Sequence, residues 1–142
     1  MQALHAKVAA SGCTTEAPHA LATPGGGYGF GFADLEGRNL AVVCGENDHQ
    51  DDADVKDRPR KIAHVNINAA DVAKTNAFFE SALGFRWVDH SGPLHFLHCD
   101  STDHSSIVTG QTATPTLNHV SFEMPDSESV MRGAVCPVTI EE

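Results

Sequence analysis

Apolar and polar residues alternate along residues 61–68, which is the pattern of a β-strand with two different faces. One face is apolar and the other is mostly polar. The first face carries Ala63, Val65 and Ile67, and the second carries Ile62, His64, Asn66 and Asn68. The alternation therefore predicts a strand whose polar face presents one imidazole and two amides.

A helix is predicted directly after this strand, because capping and stop signals enclose an apolar stripe. Asp71 is a good N-cap residue, and Gly84 supplies the C-terminal stop. Between them, Val72, Phe79 and Leu83 fall on one helical stripe. Turn residues then separate three short strand candidates, which are residues 85–89, 94–99 and 104–109. The order strand, helix, strand, strand, strand indicates an α+β unit.

The pattern restarts after this unit. Residues 64–71 read HVNINAAD, and residues 119–126 read HVSFEMPD, so a histidine opens both segments and an aspartate closes both. The second copy follows the first by 55 residues. A repeat at this period indicates tandem copies of one supersecondary unit, and a chance echo of eight residues is the alternative.

The residues before the unit indicate part of an earlier copy. A helix is predicted at residues 4–11 and a hairpin over residues 28–44, whereas the first strand of that copy is missing. Residues 46–60 carry five aspartates and almost no large apolar residue, which is typical of a solvated linker. We therefore predict four segments: a trailing part of an earlier module (1–45), an acidic linker (46–60), a complete module (61–116) and the opening of the next module (117–142).

Composition narrows the class of protein. The 142 residues are enough for one domain, which would bury roughly 68–70% of its unfolded surface. The net charge of −10 disfavours nucleic acid and anionic membrane surfaces as partners. Neither a transmembrane run nor a secretory signal is evident, and the four cysteines form no CxxC pair. These features predict a soluble protein in the reduced cytoplasm.

Two histidines are the candidate metal ligands. His64 and His119 occupy matching positions on the polar faces of the two repeated strands. If the repeats fold these strands into one curved sheet, both imidazoles point into the same hollow. Imidazole binds Fe(II), Zn, Ni and Cu, and two imidazoles plus a carboxylate form the facial triad of non-haem iron oxygenases. The alternative is that each histidine is a core residue hydrogen-bonded to a neighbouring strand.

A third histidine is the candidate acid or base. His104 opens the last predicted strand of the complete module. A histidine close to a metal ion but not bound to it can exchange protons near neutral pH. The alternative is an exposed histidine in a turn.

Four segments carry a resemblance to a known family. They are GGGYGFGFADLEGRNLAVV (25–43), HVNINAADVAKTNAFFESALGF (64–85), DHSSIV (103–108) and TLNHVSFEMPDSESVMRG (116–133). In these segments the chain resembles the extradiol ring-cleaving dioxygenases of the vicinal-oxygen-chelate superfamily, which also contains glyoxalases. The resemblance implies an α+β fold of βαβββ modules whose mixed sheet forms an open cup. One module would be complete and the others partial.

The resemblance also implies a site and a reaction. His64 and His119 would be ligands of Fe(II), with Mn(II) as the alternative metal, and His104 would act as acid or base beside the substrate. The substrates would be a small aromatic diol and O2, and the reaction would be ring cleavage in aromatic compound catabolism. A glyoxalase-type member would be expected to place a carboxylate on the last strand of the complete module, and residues 104–109 contain none.

The third ligand is where the sequence departs from the family. The family's glutamate lies on the last strand of the final module, and residues 135–142 stand in its place, so the resemblance implies a chain truncated at both ends. Glu141 is the remaining candidate for the third metal ligand. The leading and trailing pieces are complementary parts of one module, so we expect them to associate within a chain or as a homo-oligomer. That pairing would place Ala41 where the carboxylate is expected.

Three functions stay open at this point. The first is an extradiol dioxygenase-like enzyme with non-haem iron. The second is a non-catalytic module of the same superfamily that binds a small molecule, and the third is an inactive gene fragment.

Overall fold

The computed structural model of the protein describes residues 1–47, 57–100 and 102–135, and these residues form three helices and nine strands. The helices are α1 (Gln2–Ala10), α2 (Val72–Ser81) and α3 (Ser127–Val135). The strands are β1 (Thr14–Thr15), β2 (His19–Ala20), β3 (Tyr28–Ala33), β4 (Asn39–Cys44), β5 (Lys61–Ala69), β6 (Arg86–Ser91), β7 (Leu94–His98), β8 (Ile107–Gln111) and β9 (Thr116–Glu123). Within the described ranges, no helix has the length and apolar character needed to cross a membrane.

Five strands form a mixed sheet in the order β6-β7-β8-β5-β9. Strands β5 and β8 are parallel, whereas the other neighbours are antiparallel. The chain runs from β5 through α2 to β6, β7 and β8, and this order is the predicted βαβββ unit. Strand β9 and helix α3 then repeat the opening of the unit beside β5. The predicted α+β fold with a mixed, open sheet is confirmed.

Helix α2 covers one face of this sheet. The side chain of Asp71 accepts a hydrogen bond from the backbone N–H of Lys74 at 2.9 Å, as an N-cap should. Gly84 follows the helix with φ +81°, a conformation that glycine adopts without strain. The buried hydroxyl of Thr109, on β8, donates to Oδ1 of Asn76 at 2.7 Å. This contact shows that Thr109 lies on the helix-bearing face, so the side chain of its strand neighbour Val108 points to the other face.

The leading residues form a second, antiparallel sheet. Strands β3 and β4 make the predicted hairpin, and β1 and β2 pair with the other edge of β3. A Cβ atom at Gly29 would clash with the backbone of Val42, which explains why glycine stands at that point of β3. Helix α1 packs against this sheet, so the predicted helix and hairpin are both present.

One hydrophobic cluster joins the two sheets. The leading piece contributes four buried residues, and the module contributes five from β5, α2, the turn that follows α2, and β7. They are Val8, Cys13, Phe30 and Phe32 from the first and Ile67, Phe78, Phe79, Ala82 and Leu97 from the second. The leading piece therefore packs on the helix-bearing side of the module, and the opposite face of the five-stranded sheet, called the open face below, takes no part in this cluster.

A buried ion-pair network ties the hairpin to β5. The guanidinium of Arg38 lies 2.7 Å from a carboxylate oxygen of Asp34 and 2.7 Å from one of Glu36. The same group donates to the backbone carbonyl of Asn68 at 2.7 Å. Because all these groups have charged or polar partners, the network fixes the position of β5 relative to the leading piece without leaving an unpaired charge.

The start of β8 differs from the prediction. The sequence predicts that His104 opens a strand, whereas β8 begins at Ile107. The side chain of Asp103 bonds to Nζ of Lys61 at 2.7 and 2.8 Å, and His104 contacts Asp89 at 3.2 Å. These contacts hold the two residues in the turn that precedes β8, so the prediction that His104 starts the strand is wrong.

The predicted segment boundaries stay predictions. Most of the acidic linker at residues 46–60 lies outside the described residues. In the described part of one chain, β4 pairs with β3 and β9 pairs with β5, so the leading and trailing pieces do not pair with each other. Their association between chains is untested.

Candidate metal centre

The two candidate ligands project from neighbouring strands. In the antiparallel pair of β5 and β9, His64 faces Ser121 and Asn66 faces His119. His64 and Asn66 alternate with Val65 and Ile67, which belong to or contact the core cluster beneath α2. The imidazoles therefore stand on the open face of the sheet, opposite the helix.

The two imidazoles meet on this open face. Atom Nε2 of His64 lies 3.3 Å from Nε2 of His119, and the ring planes are inclined by 71°. Two nitrogens at this separation can each lie about 2.0–2.1 Å from a single ion, at a nitrogen–ion–nitrogen angle of roughly 104–111°. The two imidazoles therefore have the geometry of two ligands of one divalent metal ion. Without an ion, the same separation suits a hydrogen bond between the rings.

A β-bulge positions the second imidazole. The register of β9 shifts between the pairs Asn66–His119 and Ile67–Leu117, which leaves Asn118 as one extra residue. Bulged residues turn their side chains out of the regular alternation. The amide of Asn118 can therefore reach its own neighbour His119, although consecutive residues of a regular strand point to opposite faces.

A chain of hydrogen bonds sets the tautomer of His119. The amide nitrogen of Asn68 donates to Oγ1 of Thr116 at 2.8 Å, and that of Asn118 donates to Oδ1 of Asn68 at 3.0 Å. Oδ1 of Asn118 is then left to accept from Nδ1 of His119, at 2.8 Å. A protonated Nδ1 leaves Nε2 with its lone pair, which is the form that binds a metal ion.

Replacing Asn118 by leucine is expected to weaken Mn(II) binding by roughly 10- to 100-fold, because the imidazole loses the group that fixes its ring and its tautomer. Free Mn(II) measured by electron paramagnetic resonance during a titration would check this. Asn39→Leu, the same change at an exposed position of β4, is the control. Equal affinities of the two variants would show that the hydrogen-bond chain does not orient His119.

His64 is held as a neutral ring. Partial burial, together with the nearby imidazole of His119, keeps the pKa of His64 below its ordinary value of 6.5. A neutral imidazole offers a free lone pair, so near pH 7 the ring is in the state that a metal ion requires.

His104 lies on the same face as the pair but not beside it. One row of residues crosses the open face from β9 to β6, and it consists of His119, Asn66, Val108, Phe96 and Asp89. His104 packs against Phe96, with ring centroids 5.0 Å apart, and its Nε2 lies 3.2 Å from Oδ2 of Asp89. Since Phe96 is on β7, two strand spacings (roughly 10 Å) separate it from β5. The structure therefore leaves room between His104 and the imidazole pair.

The carboxylate expected from the facial triad is missing from the described residues. No group of three or more His, Cys, Asp or Glu side chains in the described ranges could hold a metal ion. Glu141 lies outside those ranges. Ala41 lies on β4, where it lines an apolar pocket with Phe79 and Ile107 on the helix-bearing side of the sheet. It is not part of the open face.

The sequence analysis assigned no role to the amides that surround the imidazole pair. Asn68 and Asn66 share the polar face of the predicted strand, which was a usable signal for residues near the hollow. Asn118 gave no such signal, because regular alternation places it on the face opposite to His119 and only the bulge brings it back.

Comparison with known proteins gives both sequence and structural matches. Residues 61–132 match the family model described as the glyoxalase/bleomycin resistance protein/dioxygenase superfamily. No curated protein sequence matches the chain. A Mn(II)-bound glyoxalase from Novosphingobium aromaticivorans is 36% identical, with a TM-score of 0.82, over 94% of this chain and 45% of that one.

Two dioxygenase structures share the fold at lower identity. The 2,2′,3-trihydroxybiphenyl 1,2-dioxygenase from Sphingomonas wittichii is 21% identical, with a TM-score of 0.76, over 92% of this chain and 51% of that one. BphC, a halotolerant catechol dioxygenase, is 20% identical, with a TM-score of 0.70, over 94% of this chain and 49% of that one. The chain thus spans about half the length of these solved structures.

Proposed function

Because the chain belongs to the glyoxalase/bleomycin resistance protein/dioxygenase superfamily, we propose that it holds a divalent metal ion through His64 and His119 and serves extradiol cleavage of a catecholic ring. The observation that carries this proposal is the 3.3 Å separation of the two Nε2 atoms on the open face of the sheet. The hydrogen-bond chain that ends at Nδ1 of His119 supports it, since a proton on Nδ1 leaves Nε2 with the lone pair that a metal ion requires.

The open face offers two imidazoles, an apolar ring and a further histidine to such a reaction. An ion held by the two imidazoles would supply Lewis acidity toward the adjacent oxygens of a diol and, as Fe(II), reactivity toward O2. Phe96, half-buried on the open face, gives an apolar surface against which an aromatic ring can pack. His104, whose Nε2 bonds to Asp89, would have Nδ1 available to accept a proton.

The glyoxalase likeness defines a competing activity. At 36% identity, the Mn(II)-bound glyoxalase shares more residues with this chain than the dioxygenases described above do. A glyoxalase-type site would be expected to take a carboxylate from the last strand of the module. Strand β8 has the sequence IVTGQ and provides none, so we retain ring cleavage as the proposed reaction.

A binding module without turnover is the second candidate. The observation that favours it is the lack of a third acidic, histidine or cysteine ligand among the described residues. Two imidazoles hold a metal ion less firmly than three protein ligands do, and a chelating ligand would then complete the coordination. Such a module would bind a small molecule with two adjacent oxygens.

Metal loading followed by oxygen uptake separates these functions. Fe(II) would be added under anaerobic conditions, and the protein-bound iron would be measured after removal of the excess. Catechol and air-saturated buffer would follow, and an oxygen electrode would record consumption. Bound iron with catechol-dependent uptake supports the dioxygenase. Bound iron and catechol without uptake supports the binding module, and absence of bound iron would refute the proposed metal site.

A further inference from the structure

A buried amide oxygen lies beside the imidazole pair without a partner. The side chain of Asn66 is 7% exposed, and its Oδ1 makes no hydrogen bond with any of the residues that the structure describes. Buried polar atoms are nearly always hydrogen-bonded in folded proteins, because an unpaired one keeps its full desolvation cost. The oxygen is therefore an unused hydrogen-bond acceptor among the described residues.

The position of Asn66 relates this oxygen to the candidate metal centre. Asn66 faces His119 across the strand pair and Val108 on its other side, and it follows His64 by two residues on the same face. All three polar side chains thus lie on the same face of the sheet. The asparagine side chain is shorter than imidazole, so its oxygen ends nearer the floor than the two Nε2 atoms.

The chemistry of the atom restricts what it can bind. A carbonyl oxygen only accepts hydrogen bonds, so its partner must carry an O–H or N–H group. The neighbouring His64 and His119 direct Nε2 toward each other and not toward Asn66. A ligand with two adjacent oxygens can place one oxygen toward the imidazole pair and present the neighbouring hydroxyl to Oδ1 of Asn66.

We propose that Asn66 determines specificity by accepting a hydrogen bond from a hydroxyl of the bound vicinal diol. This inference rests on the proposed function, because it requires a ligand held at His64 and His119. Asn66 would then distinguish a free hydroxyl from its methyl ether, since the ether has no hydrogen to donate and would leave the buried oxygen unpaired.

The test compares catechol with 2-methoxyphenol on the Mn(II)-loaded protein. Calorimetric titration in the absence of O2 gives both affinities for the native chain and for Asn66→Leu, with Asn39→Leu as the matched control. We expect Asn66→Leu to reduce the ratio of the affinity for catechol to the affinity for 2-methoxyphenol by about tenfold. Asn66→Asp keeps an acceptor oxygen at this position and is expected to keep the preference.

Thermal unfolding of the metal-free protein tests whether Asn66 is merely structural. Leucine has a similar volume and removes the unpaired oxygen, so the Tm of Asn66→Leu is expected to stay the same or rise. A fall in Tm with no change in preference would make Asn66 a structural residue and overturn the inference.

Failure of the inference and failure of the proposed function give different results. If the native chain binds Mn(II) and catechol and Asn66→Leu shows the same preference, only the role of Asn66 is wrong. If the native chain binds no Mn(II), the proposed metal site fails and the inference fails with it.

Discussion

Replacing His119 by leucine is expected to weaken Mn(II) binding by at least about 100-fold, since it removes one of two protein ligands and not just a group that orients one. The remaining imidazole of His64 can bind an ion only as a single, weak ligand. His64→Leu is expected to have the same effect. The double variant should bind Mn(II) only slightly more weakly than either single variant, because either change already destroys the shared site. Metal titration followed by electron paramagnetic resonance measures all three affinities.

His19→Leu is the control for this prediction. His19 is exposed on β2 of the other sheet, and its Nδ1 bonds only to the nearby carbonyl of Ala17 among the contacts described for it. The affinity of the His19→Leu variant for Mn(II) should match that of the native chain. If the His119 and His19 variants bind Mn(II) equally well, the ion is held elsewhere and the two converging imidazoles are only a hydrogen-bonded pair.

Replacing Phe79 by alanine is expected to lower the free energy of unfolding by about 3–5 kcal/mol. Phe79 is 2% exposed, and its ring packs edge-on against Phe78 and Phe85, with centroids 5.7 and 5.4 Å away. It also lines an apolar pocket with Leu4 and Leu40 of the leading piece. The truncation therefore removes contacts on both sides of the boundary between the two sheets. Urea denaturation measures the change.

This experiment also tests whether the two sheets fold as one unit. Trp87, the single tryptophan, lies on β6 and reports the five-stranded sheet by fluorescence, while far-ultraviolet circular dichroism reports both sheets. Coincident transitions are expected for one cooperative unit. Ile62→Ala, at a side chain that is 56% exposed, should cost less than about 1 kcal/mol and serves as control. Separate transitions would contradict the shared core.

Much of the module could be predicted because its signals are local. The alternation around His64, the N-cap at Asp71 and the stop at Gly84 each depend on a few neighbouring residues, and all three appear in the structure. The turn before β8 could not be predicted from neighbouring residues in the same way. His104 lies outside the strand because it and its neighbour Asp103 bind residues that lie 15 and 42 positions earlier in the chain.

In the candidate site too, some features follow from local sequence and others depend on contacts between distant residues. The alternation of side chains along each strand assigns His64 and His119 to the polar faces, and the repeat relates the two histidines to each other. The bulge at Asn118 was not predictable, since it arises from the register between two strands and not from either strand alone. The unpaired oxygen of Asn66 was hidden for a similar reason, because burial depends on what the neighbouring strands place around it.

The sequence by itself determined which residues share a face, because side-chain direction in a strand follows from backbone geometry at each residue. It also determined the order of the elements within the complete module and the repeat that relates β5 to β9. Only the tertiary structure decided that the two imidazoles meet at 3.3 Å, that a bulge holds one of them, and that His104 stands two strands away. Those features depend on strand register across 55 residues of chain, and register is set by packing of the whole sheet.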